Sequence, residues 1–160
     1  MDLTKLVQIV RDSRDLTAMV FPLPDVDGCV DYAITEAGET LDAMLREKRT
    51  TDKRNNVKDS DVRREWGQCG YMIASAMMQI DGCPMETAIP PDDSGSVYSV
   101  LVSLCGYQRR ITYDPDWLVE GLQDWTVVCS TNSWTAAELM AETCTAFERK
   151  HLPELFEAGA

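Results

Sequence analysis

Three glutamates and a glutamine stand where they could gather round a cation. Glu36-x-x-Glu39 falls on one strongly helical segment and Glu65-x-x-Gln68 on the next. Residues three apart on a helix have Cβ atoms roughly 5–6 Å apart, so two such helices meeting face to face would supply one shared set of oxygen donors. A donor set without histidine suits a hard, water-keeping ion, magnesium or manganese, better than zinc or iron. Acids at this spacing usually form only a solvated face. Two features argue otherwise here. The side of the helix that carries Glu36 and Glu39 also carries Tyr32 and Ala43 rather than further charges, and Glu65 borders the apolar stripe Val62, Trp66, Cys69 and Ile73. Carboxylates at such a boundary are costly unless a cation compensates them. Asp42, one turn beyond Glu39, and Asp61, one turn before Glu65, are further oxygen donors, read first as surface or capping residues.

Between the two acidic helices lies the one basic cluster of the chain, RTTDKRNNVKDS over residues 49–60. Lys53, Arg54, Asn55 and Asn56 could meet a phosphate chain held on a metal. The equal alternative is a solvated loop whose asparagines serve turns. Trp66 and Tyr71 could stack on a base, although aromatics on a buried helix are more often core. His151, followed by Leu152-Pro153, reads as the end of the last helix and carries no catalytic role.

The chain of 160 residues, 44% hydrophobic and 26% charged, suffices for one domain over 1–160 with its own core. Its 27 acids against 15 bases leave a net charge of −12. That balance repels nucleic-acid polymers and anionic membrane surfaces, but admits a phosphate ligand bridged by a divalent cation. The six cysteines form no CxxC pair and only one histidine accompanies them, so reduced, mostly buried thiols are expected. The start of the chain has no basic, apolar and small-residue succession, and no apolar run reaches the roughly 18 residues that span a membrane. The expected compartment is the cytoplasm.

The elements that must position these residues are helical throughout. Leu3, Leu6, Ile9 and Val10 predict a first helix within 3–20, broken by Phe21-Pro22-Leu23-Pro24. Residues 31–48 predict a second, with Ile34, Ala37, Leu41, Met44 and Leu45 as its apolar stripe. A third, capped by Asp59 or Ser60, runs to about residue 80 and carries no charge from Gln68 onward, so it must be buried nearly all round, in the core or at a subunit interface. After a Gly- and Pro-marked loop at 81–95, the buried run 96–108 is read as helix rather than strand because of its length. Helices over 114–127 and from Thr135 to about Lys150 complete an all-α bundle of five or six helices. The last one opens with the capping-box pattern Thr135-x-x-Glu138, preceded by Trp134 as a staple onto Leu139.

With order and spacing in place, ITEAGETLDAMLREKR, the basic loop and EWGQCGYMIASAM together resemble the core of the MazG-like, all-α nucleoside triphosphate pyrophosphohydrolases, phage-encoded members included. In that family a Glu-x-x-Glu helix precedes a spacer and a Glu-x-x-Asp helix. The likeness covers about residues 31–80 and extends to the flanking LDA and GYM residues. It implies that Glu36, Glu39 and Glu65 bind magnesium, with Gln68 where the family usually has Asp, so that the site carries one negative charge fewer. It implies hydrolysis between the α and β phosphates, with Glu39 the first choice for the base that prepares water. Family members commonly pair as homodimers, which the charge-free third helix also suggests. Alternatively, residues 96–150 fold back and cover that surface within one chain. The rival functional readings are a diverged module that binds a nucleotide or a protein without turnover, and a purely structural bundle.

Overall fold

The computed structural model describes residues 2–48, 59–86, 94–109 and 114–157, and every long regular segment among them is helical. The order is α1 (Thr4–Thr17), α2 (Val26–Lys48), α3 (Asp59–Met78), α4 (Val97–Arg109), α5 (Asp116–Thr131), α6 (Ala136–His151) and the single turn α7 (Glu154–Glu157). The fold class read from periodicity is therefore observed. The only extended pairing among the described residues is an isolated bridge between Asp2 and Glu86.

Local signals shift several boundaries. α2 begins at Val26 rather than Asp31, because the Asp25 carboxylate accepts the Gly28 N–H at 2.8 Å, the hydrogen bond of an N-cap, directly after the Pro22–Pro24 break. α3 already includes Asp59 and Ser60 instead of being capped by them. α4 opens on a reciprocal serine box: Ser96 N–H donates to Ser99 Oγ at 2.8 Å and Ser99 N–H to Ser96 Oγ at 3.2 Å. Thr135 does occupy the N-cap position of α6, but its side chain makes no capping hydrogen bond, so the capping box expected there does not form. His151 ends α6, as expected, with its ring stacked on Phe21 at 4.3 Å between centroids.

α3 is the axis of the bundle. It packs against α1, α2, α5 and α6, while α4 lies across α2 and α5, and α1 lies along α6. Every residue from Cys69 to Met77 is buried within the single chain, the second half having folded back over the first. The charge-free stretch thus needs no second subunit to cover it. On α2 the expected stripe is only partly right. Ala37 is fully buried and Ile34, Leu41 and Met44 pack on the core, but Leu45 is 51% exposed. The deeper positions are Val30, Ala33 and Thr40, because α2 is pressed by α3 on one side and α4 on the other.

The centre is held by two tryptophans. Trp66 Nε1 donates to the Trp125 carbonyl at 3.3 Å, and Trp125 Nε1 donates to the Trp66 carbonyl at 2.7 Å. Both rings are fully buried, so both are core residues and Trp66 offers no face to a ligand. Tyr71 is likewise fully buried, its ring 4.5 Å from that of Phe147. Two glycines make the approach possible. A Cβ on Gly70 would lie 2.3 Å from Trp125 Cε2, and one on Gly67 would lie 2.2 Å from Thr143 Oγ1. Of the six cysteines, Cys29, Cys69, Cys129 and Cys144 are buried, and all six are free thiols. No helix among the described residues is long and apolar enough to cross a membrane.

Gly70→Ala is expected to destabilise the fold by about 1–3 kcal/mol, because the buried Trp125 indole, held by its hydrogen bond to the Trp66 carbonyl, cannot yield. Gly38, with nothing within 4 Å of its added Cβ, gives the opposite sign. Gly38→Ala is expected to stabilise α2 by about 0.5–1 kcal/mol. Thermal unfolding followed by circular dichroism checks both, and a Gly70→Ala protein as stable as wild type would contradict the close packing.

Candidate metal centre

The seam between α2 and α3 brings Glu36, Glu39 and Glu65 together. One carboxylate oxygen of each lies within 4.8 Å of the others. Two residues three apart on α2 face one residue of α3, and the direction of Glu65 is set by Trp66 beside it, whose ring is locked in the core. Burial grades across the cluster. Glu36 is partly buried, the Glu65 side chain is 16% exposed, and Glu39 is open to solvent.

Three carboxylates this close cannot all ionise without help. Burial, proton sharing with Glu65 and the negative charges of Glu39 and Glu65 push Glu36 up to about 8. Glu39 is also raised, first by its contact with Glu65 and then by desolvation. For Glu65 burial acts upward but is outweighed by hydrogen bonds to Glu36, Glu39 and Arg64, which leave it below the ordinary carboxylate range. Glu36 Oε2 is buried and has no hydrogen-bond partner. A buried carboxylate oxygen without a partner, on a residue of a three-acid cluster, is what a hard cation would satisfy.

The residues fit such an ion in chemistry as well. Every donor in the cluster is a carboxylate oxygen. The Cys69 thiol, one turn beyond Glu65, is fully buried, and burial together with the charge of Glu36 keeps it protonated and so unfit as a ligand. Gln68 is half-buried on the same side of α3 as Glu65, where its amide oxygen would be the neutral fourth donor.

Asp42 and Asp61 lie outside the triad. Asp42 pairs with Arg46 at 2.7 Å, and Asp61 with Arg64 at 3.6 Å. With Glu39 and Glu65 these four residues line an open cleft of about 340 Å³ beside the carboxylates. Lys53, Arg54, Asn55 and Asn56, the expected phosphate contacts, lie outside the described residues. Among the described residues the cations at the cleft are Arg46 and Arg64, neither of which the sequence reading singled out. Their spacing carried the signal: Arg46 stands two turns beyond Glu39, and Arg64 directly precedes Glu65. Comparison with protein-family models, curated proteins and solved structures finds no match to this chain.

In the metal-free protein the folded state holds a proton on Glu36 up to about pH 8, whereas an ordinary glutamate loses it near 4.5. The folded state binds more protons across that window, so stability falls as the pH rises through it. Glu65, held below its ordinary range, acts only at lower pH. Because Glu36 is partly solvated, the loss is expected to be about 1–2 kcal/mol, or about 3–6 °C in Tm. Melting curves in EDTA at pH 5 and pH 8 measure it. Glu36→Gln should flatten the dependence, and a wild-type Tm that does not fall would argue against a shared proton.

Proposed function

We propose that this chain is a magnesium- or manganese-dependent hydrolase that cleaves nucleoside triphosphates, dNTPs among them, to the monophosphate and pyrophosphate. The observation that carries the reading is the gathering of Glu36, Glu39 and Glu65 within 4.8 Å on two packed helices, beside a cleft that also holds two arginines. The resemblance of residues 31–80 to the MazG-like pyrophosphohydrolases supplies the reaction. The donor chemistry supports the metal.

Glu36, Glu65 and Gln68 would hold the ion together with Glu39. When bound, a divalent cation supplies positive charge against phosphate oxygens and acidifies nearby water. Glu39 is the triad member most open to solvent, where water can reach its carboxylate, and that position suits a base. It would take the proton as water oxygen bonds to phosphorus and the bridging bond between the α and β phosphates breaks, pyrophosphate leaving with that bond's electrons. Burial of the other two carboxylates limits them to holding charge. The net negative surface leaves substrate capture to the ion and to the cations of the cleft.

A second reading rests on Gln68. A neutral amide in the fourth position weakens attraction for the ion, and a bundle that binds a nucleotide without turning it over is the outcome if that weakening is complete.

Pyrophosphate release from a panel of dNTPs with magnesium tests the proposal, and absence of turnover at every pH would reject it. Glu39→Gln is expected to lower kcat by about 10²–10³-fold with little change in folding. Gln68→Asp is expected to tighten magnesium binding and raise turnover at limiting metal. If it alters neither while nucleotide binding persists without metal, the binding module is the better description.

A further inference from the structure

Arg64 makes a contact that helix geometry does not favour. Adjacent residues on a helix point about 100° apart and do not normally face one another. Yet Arg64 Nη2 donates to Glu65 Oε1 at 3.2 Å, while its Nη1 lies 3.6 Å from Asp61 Oδ1. The side chain is 61% exposed, so core packing does not impose this conformation. The guanidinium lies between two carboxylates of its own helix, Glu65 and Asp61, the first of them a member of the triad. Across the same cleft Arg46, 53% exposed, is held by Asp42 of its own helix at 2.7 Å. Four carboxylates and two guanidinium groups leave the cleft net negative, closed to a polyanion until a cation enters.

We propose that Arg64 is a place-holder cation: without metal it neutralises Glu65 and Asp61, and once a divalent ion takes over that charge it turns into the cleft and joins Arg46 in gripping a polyphosphate chain. The inference rests on the reading of the triad as a metal site. Its chemical basis is the guanidinium group, whose planar fork binds phosphate oxygens in pairs and which stays charged at any working pH. Its physical basis is competition: the ion and Arg64 neutralise the same carboxylate, so binding of one releases the other. Metal and polyphosphate binding become coupled through Arg64 in addition to any direct bridging by the ion. The cleft volume of about 340 Å³ is at the lower end of small-ligand sites, fitting a phosphate chain rather than a whole nucleotide.

Isothermal titration of the full chain with manganese chloride, and then with preformed manganese–tripolyphosphate at saturating manganese, separates the two roles. Arg64→Gln is expected to bind manganese about threefold or more tightly, since a competing charge is gone. It should bind manganese–tripolyphosphate about tenfold more weakly, having lost charge-assisted hydrogen bonds. Arg64→Lys keeps the charge and loses the fork, so it should bind manganese as wild type does and tripolyphosphate more weakly. Arg46→Gln should weaken tripolyphosphate alone, because its partner Asp42 is outside the triad. Opposite shifts for the two ligands in Arg64→Gln support the proposal. Unchanged affinities, or shifts in the same direction, overturn it while leaving the metal site in place. A wild-type chain that binds no manganese overturns the metal reading, and this inference with it.

Discussion

The exchange of hydrogen bonds between Trp66 and Trp125 is the constraint on which the rest of the structure depends. Two indole N–H groups, each buried and each in need of an acceptor, satisfy themselves on the backbone of the opposite helix. This is possible only because α3 and α5 approach with glycine at Gly70, and α3 approaches α6 with glycine at Gly67. The rings then fix the rotation of α3 about its own axis. That rotation decides which residues of α3 enter the core and which face α2. Glu65 precedes Trp66, so locking one aims the other.

A second constraint opposes the first. The seam between α2 and α3 must be tight to bury Val62, Cys69 and Ala37, and the same tightness forces three carboxylates together. A fold selected for stability alone would place apolar residues or an ion pair there. Here the conflict is eased in part by the raised proton affinity of Glu36 and in part by the guanidinium of Arg64 at Glu65. The crowding of the three carboxylates sits at one point of that seam, where Glu36 Oε2 is buried without a hydrogen-bond partner.

The helical pattern was legible because periodicity is a property of the residues themselves. A run such as Cys69–Met77, with no charge, has to be covered on all sides, and the structure covers it. Boundaries were less legible, since they turn on single hydrogen bonds. The second helix starts at Val26 and not at Asp31, because Asp25 accepts the N–H of Gly28. Thr135 had the residue type of a capping box and does not form the bond. At the site, Glu36, Glu39 and Glu65 could be found from i, i+3 spacing, which places donors on one side of a helix. Arg46 and Arg64 are less legible, because each stands among acids of its own helix, whereas Lys53 and Arg54, outside the described residues, stand in the one basic cluster. That α5 and α6 would supply the cover for α3 was one of two open possibilities, and only tertiary packing distinguishes them.

The pairing of α1 with α6 has a consequence for the order of assembly. Ser13 donates to Glu148 at 2.7 Å across 135 positions, and the buried Arg14 lies under the ring of Phe21, which in turn stacks on Phe147 and His151 of α6. During synthesis α1, α2 and α3 emerge long before their cover, so Leu6, Val7 and Val10 must wait in contact with solvent or with one another until the final helix leaves the ribosome. Contacts of such long range raise the entropic cost of closing the fold and slow it relative to bundles built from neighbouring hairpins. The half that carries the carboxylate cluster is thus made first and completed last, and any ligand that held α2 to α3 would also steady the nascent pair during that interval.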